Sequence, residues 1–358
     1  MFGFIIPNTF LTGPYFDDLK RDVLEKANVL QIVDFGLNQV FPKPNVFTAL
    51  LFLQQKEKPE MPSISVTQYA KVSNVASFPQ SLSFQSVETT TLESLHWVPV
   101  NSLAMRLFQG ENQLDVVAWV KDVGLNYWTQ GRGKTRGGSI ADRVLYDGKR
   151  QHPKDRPYLK GRDVNRYMLA FGNHWLRHDW QKRLDPKVDT MRYSPEFLER
   201  EKIVYRQTAD RIIATFEPEG LLTDKTLHTI VLRDEWRGKI DLRYLLGILN
   251  SRLLTYLYRD LAQEEGRTFA QVKIFRMKQL PVVVVDLSSP NGKARHDRMV
   301  TLVEQMLELH KRLHAAASQA DRELYQRQID ATDREIDKLV YELFGLTGEE
   351  IGVIERNG

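Results

Sequence analysis

The period of the apolar positions changes several times along this 358-residue chain, and each change marks an element. Phe4, Ile5 and Ile6 form a short apolar run that predicts a strand. Thr12 can cap a helix whose first turn tolerates Pro14, with Phe16, Leu19, Val23 and Ala27 on one face. Leu30–Phe35 and Phe47–Leu53 predict two further strands, the second apolar almost throughout, as in a strand covered on both faces. A βαββ unit of about fifty residues cannot bury its own faces, so Met1 is expected to begin in the middle of a domain. After the charged, proline-bearing Lys56–Pro62, the stretch Ile64–Tyr69 alternates like an edge strand, and Ser102–Phe108 begins a helix.

From Arg143 to about Asp234 the pattern is rich in strands: Lys202–Gln207 and Arg211–Phe216 alternate, and Glu217–Gly220 is a turn. Asp241 caps an amphipathic helix carrying Leu245, Leu246, Leu249, Leu253 and Leu257 on one side. Leu280–Val285 reads as one more strand, and Ser288–Gly292 as a boundary. Beyond it, one stripe of Met299, Leu302, Val303, Met306, Leu309 and Leu313 and another of Tyr325, Ile329, Ile336, Val340 and Leu343 predict two long antiparallel helices. The expected organisation is mixed α/β in three parts, residues 1–60, 61–286 and 287–358.

Composition narrows the class without choosing a function. A hydrophobic fraction of 42% and a charged fraction of 27% are ordinary for a soluble protein. No run of eighteen apolar residues exists to span a membrane, and the N-terminus has no signal-peptide pattern. With no cysteine, disulfides, thiolate metal sites and cysteine nucleophiles are excluded, and a cytoplasmic location is expected. The net charge of +4 is too mild to argue for nucleic acid, but its distribution is uneven. Between Gln130 and Arg183 there are 14 Lys/Arg against 5 Asp/Glu.

Several segments of that region and its surroundings carry candidate chemistry. Gly131–Gly138 contains Gly-Lys-Thr, but Trp128 stands where a nucleotide-cradling loop needs its first glycine. Its Arg132, Lys134 and Arg136 are instead candidates for DNA phosphates, with a solvated basic loop as the alternative. Arg156–Asp163, followed by Arg166 and Tyr167, interleaves cations with aromatics, which makes Lys160 and Arg162 further phosphate candidates; a turn with internally paired charges is the alternative. Arg206 and Gln207 are candidates for base edges, although a strand Arg or Gln also pairs within a fold. His174 with His178, and His310 with His314, have helical zinc spacing but no evident third ligand, so no metal is expected. Val40–Lys43 is a loop at strand ends, where α/β sheets place ligands, with a loop aromatic folded back onto the core as the alternative. No catalytic triad or carboxylate pair is evident.

Together these segments resemble the C-terminal portion of TaqI-like adenine-specific DNA methyltransferases of type II restriction–modification systems. Gly3–Leu11, Ile32–Phe35, Val40–Pro42 and Phe47–Thr48 look like the last strands of a Rossmann-like methyltransferase domain. Pro157–Val164, Glu201–Gln207, Leu245–Leu253 and Lys278–Pro281 look like an α+β target-recognition domain, and Ile336–Leu346 like the end of a helical tail. The resemblance implies that Phe41 stacks on a flipped-out adenine, with Lys43 beside it on the DNA, in an enzyme using S-adenosylmethionine. The glycine-rich loop for that cofactor and the Asn/Asp-Pro-Pro-aromatic motif are not found, so this chain alone is expected to bind no cofactor and to be inactive. Double-stranded DNA is the expected partner, with a methylase or nuclease chain as a possible second. The alternatives are a free-standing specificity subunit and a protein-interaction scaffold without DNA affinity.

Overall fold

The computed structural model describes residues 1–36, 38–43, 46–56, 66–80, 82–88, 92, 97–98, 102–110, 112–130, 139–262 and 270–357. They fall into two compact units, Met1–Asn101 and Ser102–Gly358, and the divisions drawn from sequence at 60/61 and 286/287 lie inside these units.

In the first unit, β1 (Phe2–Pro7), β2 (Ala27–Asp34), β3 (Thr48–Gln55), β4 (Val66–Lys71) and β5 (Gln85–Glu88) form one sheet in the order β1-β3-β2-β4-β5. Only β2 and β4 run parallel. Alternation, shifted in β2 by an irregularity between Val29 and Gln31, accounts for the packing: Val29 and Ile32 of β2 and Leu51 and Leu53 of β3 are buried in one cluster with Phe10, Tyr69 and Trp97. The helix expected to start at Thr12 instead starts later, as α1 (Asp17–Lys26), after a 3-10 turn over Pro14–Phe16. Asp17 and Asp18 in its first turn suit the positive end of the helix dipole, and Ala27 already belongs to β2. Beyond β2, buried Asp34 accepts from the Gly36 amide at 2.8 Å and the Tyr69 hydroxyl at 3.0 Å, which fixes the start of the loop that carries Phe41.

In the second unit, α2 (Ser102–Gly110) precedes β6 (Ala118–Lys121), β7 (Asn126–Thr129), α3 (Ile140–Val144), β8 (Leu145–Asp147), β9 (Arg156–Leu159), β10 (His174–Leu176), β11 (Asp189–Arg192), β12 (Lys202–Arg206), β13 (Ala214–Glu217), β14 (Leu222–Thr223) and β15 (Leu227–Leu232). Two four-stranded sheets result, β14-β9-β10-β8 and β13-β12-β15-β6, while β7 and β11 pair as a separate ribbon. Every residue of β15 is buried, as its unbroken run Leu-His-Thr-Ile-Val-Leu requires.

The helical elements depart from expectation in three places. The helix read from Asp241 to Leu257 is two helices, α4 (Leu242–Leu249) and α5 (Arg252–Ala262). Asn250 breaks it: its side chain is spent on both backbone groups of Ala214, at 3.3 and 3.0 Å, and the Ser251 hydroxyl accepts from the Leu254 amide. The strand read over Leu280–Val285 shrinks to Pro281–Val282, Pro281 having no amide to donate to a ladder. Finally, α6 (Pro290–Ala315) and α7 (Gln319–Leu343), which pack on each other, are followed by a third helix, α8 (Gly348–Asn357). These helices belong to the same compact unit as the sheets. Gly247 allows this approach, because a Cβ there would lie 2.4 Å from the Met299 sulfur. Arg166 ties α7 in through Asp333 at 2.5 and 2.8 Å while also donating to the Asn250 carbonyl.

Candidate nucleic-acid interface

The basic, aromatic stretch that opens with β9 is built around two carboxylates, buried Asp163 and exposed Asp147. Asp163 accepts from the Lys160 amide at 2.7 Å and closes a 3-10 turn, and the Gly161 amide donates to the Thr226 hydroxyl at 2.7 Å. His174, buried on β10, shares its Nδ1 with Asp147 at 2.6 Å and faces Asp163 with its Nε2 at 3.4 Å. Gly172 makes room for this pair: a Cβ there would meet His174 Nε2 at 2.3 Å and Asp163 at 2.7 Å. Desolvation works against ionisation of Asp147, but hydrogen bonds from His174 and Lys160 outweigh it and hold its carboxyl below the usual carboxylate range.

Both phosphate candidates of this stretch converge on Asp147. Lys160 reaches its two oxygens at 3.0 and 3.1 Å and lies over the Tyr158 ring, and the more exposed Arg162 comes within 3.7 Å. Tyr167 is fully buried in a positive-φ conformation, and Arg166 is committed to Asp333, so these two serve the fold. Arg206 donates to the Val164 carbonyl at 2.5 Å and to the Asn165 side chain at 2.9 Å. Gln207 is partly buried, its backbone bonded to Thr226 and Val272. Arg132, Lys134 and Arg136 lie outside the described residues. In the first unit, Phe41 is 41% exposed and Lys43 is exposed on the loop after β2, so Phe41 is not folded back into the core.

Sequence reading overlooked three features. The first is Lys202, fully buried and paired across β12 and β13 with fully buried Glu217. Lys202 also donates to the Leu198 carbonyl at 2.7 Å, and Glu217 accepts from the amides of Glu219 and Leu221. Desolvation pushes the Lys202 ammonium below its ordinary range despite this partner. Its place beside a hydrophobic strand start was the only available signal.

The second is Asp155, which organises the cationic loop between β8 and β9. Burial opposes its charge, but bonds from the Tyr146 hydroxyl, the His178 amide and ring and the His152 amide hold it well below the ordinary range. The rings of His152 and His178 stack 3.7 Å apart over it, and the three residues bring potential metal-ligand atoms within 4.8 Å of one another. The ring planes differ by only 18°, so their in-plane lone pairs do not meet on one ion, and Asp155 is already spent on amides and the Tyr146 hydroxyl. The arrangement clamps a loop. The helical zinc spacing is corrected too: His174 belongs to β10 and binds Asp147, and His178 binds Asp155. On α6, His310 packs beside the Tyr167 ring and His314 is exposed.

The third is the β7/β11 ribbon. Its inner positions anchor it: Tyr127 and Met191 join a buried cluster, and Asp189 accepts from the Thr129 hydroxyl at 2.9 Å and Arg143 at 2.7 Å. Its outer positions are Asn126, Trp128, Thr190 and Arg192, with the Arg192 guanidinium 5.1 Å from the Trp128 ring centre.

Residues 156–282 match the TaqI-like C-terminal specificity domain. All four segments that resembled such a domain lie within that span. The chain carries a TaqI-like specificity domain. Two relatives extend the likeness beyond this specificity domain to nearly the whole chain. The putative type II restriction enzyme and methyltransferase RM.MjaORFECS2P of Methanocaldococcus jannaschii is 25% identical over 339 residues, 92% of this chain and 26% of that protein. The type II restriction enzyme and methyltransferase RM.Eco57I of Escherichia coli is 20% identical, over 96% of this chain and 40% of that protein. The chain thus corresponds to a recognition part of a restriction–modification enzyme and spans well under half the length of these relatives. A solved structure of the type IIL restriction–modification enzyme MmeI in complex with DNA overlays with a TM-score of 0.49 and 8% identity, covering 99% of this chain and 49% of that one. No helix among the described residues is long and apolar enough to cross a membrane.

Proposed function

We propose that this chain recognises duplex DNA for an adenine-specific, S-adenosylmethionine-dependent methyltransferase of a restriction–modification system. The observation that carries the reading is the specificity-domain match over residues 156–282. In this reading the first unit is the end of a methyltransferase domain, and the exposed Phe41 is the ring against which a flipped adenine stacks, with Lys43 beside it. A stacked base of this kind contributes about 1–3 kcal/mol. S-adenosylmethionine does not fit the link from β1 to α1. The link from β1 to α1 contains one glycine, Gly13, and its Cβ position is taken up by the Thr9 carbonyl at 2.6 Å, leaving no glycine-rich cradle. In this reading methyl transfer uses residues beyond those described, on the same polypeptide or on a partner methylase chain.

Titration of the chain with a duplex at several salt concentrations tests the reading. Neutralising about six phosphates gives a log–log salt slope near about −5. Absence of binding at low salt would overturn the proposal in favour of a protein-interaction scaffold.

A further inference from the structure

The β7/β11 ribbon separates its anchoring side chains from its exposed ones by simple strand alternation. Thr129 with Asp189, and Tyr127 with Met191, face inward, where a buried cluster and the Asp189–Arg143 ion pair hold them. Trp128 with Thr190, and Asn126 with Arg192, are the cross-strand pairs of the opposite face. Asn126 and Arg192 are exposed, Thr190 is half-buried, and Trp128 leaves 39% of its surface to solvent. No third strand joins the ribbon among the described residues. Unlike Lys160 and Arg162, which pair with Asp147, Arg192 has no carboxylate partner among the described residues. Its guanidinium rests on the indole, a contact that orients the planar fork while leaving its donors available.

We infer that this ribbon enters the major groove of duplex DNA and reads base edges through Arg192 and Asn126, with Trp128 as the platform that orients Arg192. The inference rests on the DNA-recognition reading above and adds to it the element and residues that confer sequence preference. The major groove, about 12 Å wide, admits a two-stranded β-ribbon, and the outer face supplies the side chains whose geometry matches base edges. An arginine fork pairs with O6 and N7 of guanine, and an asparagine amide with N6 and N7 of adenine. A phosphate contact would need only a point charge, whereas a base contact needs the fork, so Arg192→Lys distinguishes the two roles. Since Arg192 and Asn126 are exposed, these substitutions spare the inner face that holds the ribbon.

The test uses the full chain and a randomised duplex library, with sequencing of the bound fraction, alongside titration of one fixed mixed-sequence duplex. The wild-type chain is expected to enrich a motif. Arg192→Lys is expected to lose about tenfold of the preference for guanine at one motif position, and Asn126→Ala to relax an adenine position. Affinity of both variants for the fixed duplex should stay within about twofold, and thermal unfolding should match wild type. Three results overturn the inference while leaving DNA binding intact: a motif unchanged in both variants, wild-type binding that enriches no motif, or an Arg192→Ala variant that loses affinity uniformly with a salt slope shallower by about one while Arg192→Lys keeps the motif. Failure of the wild-type chain to bind any duplex sinks the parent reading and this one with it.

Discussion

Cations of the second unit that stand out in the sequence and one that does not are opposite in circumstance. Lys160, Arg162 and Arg206 stand in conspicuous basic segments, yet Asp147, a backbone carbonyl and an asparagine engage them. Lys202 is buried outright against Glu217. Arg192 stands in an unremarkable stretch and faces outward on an aromatic ring. A local excess of positive charge does not by itself say which cations are available to a polyanion; the position of the carboxylates does. Asp147 and Asp163 together convert the densest basic motif into a rigid turn.

The sharpest test of this division is Lys202→Met. Removing one partner of a buried pair leaves Glu217 charged and uncompensated, and chemical unfolding should show a loss of about 3–5 kcal/mol. A loss below about 1 kcal/mol would place Lys202 with the dispensable surface cations. Asp155→Ala comes next, at about 3 kcal/mol, because the Tyr146 hydroxyl and two amides lose a charged acceptor. The folded-state pKa of Asp155 is depressed, so its contribution is present above the ordinary carboxylate range and fades as pH falls towards the folded value. Acid unfolding of the variant should therefore lose part of the wild-type dependence in that low range.

Asp337 acts in the opposite direction. Burial, aided by Asp333, pushes its carboxyl up to about 6 against the bond from the Arg252 amide. With the folded value above the unfolded one, stability falls as pH rises from about 4 to about 6, and the cost persists above that window. Asp337→Asn should flatten the wild-type thermal-unfolding profile across that window by about 2 kcal/mol. An unchanged profile would show that the carboxylate is solvated. The smallest stability effect belongs to Asp147→Asn, under about 1 kcal/mol because its cation pairs are partly exposed. Its use lies elsewhere: it releases Lys160 and Arg162, so affinity for mixed-sequence duplex should rise a few-fold with a salt slope steeper by about one to two. If neither changes, those cations do not reach phosphates even when freed.

Local patterning made much of the architecture legible. The strands of the first unit and the stripes of α6 and α7 follow from side-chain period, whereas β12, read as an alternating strand, is buried on both faces from Lys202 to Tyr205. Features that depend on distant partners were not legible. Leucine spacing runs smoothly through Asn250, and only the backbone of Ala214, 36 residues away, explains why the helix breaks there. The ribbon is hidden for the same reason. Its strands are about sixty residues apart in sequence, and Trp128 acquires a meaning only once Arg192 lies over it. The exposure of Phe41 fits its place in a loop between two strands, while its role is what the resemblance implies.

The alternation of the ribbon has an evolutionary consequence. Odd-numbered positions 127, 129, 189 and 191 carry the attachment to the buried cluster and the Arg143 ion pair, while even-numbered positions 126, 128, 190 and 192 form the more exposed face. Drift at the even positions can explore new side chains without endangering the scaffold, so divergence of target preference and persistence of shape are uncoupled at this place in the polypeptide.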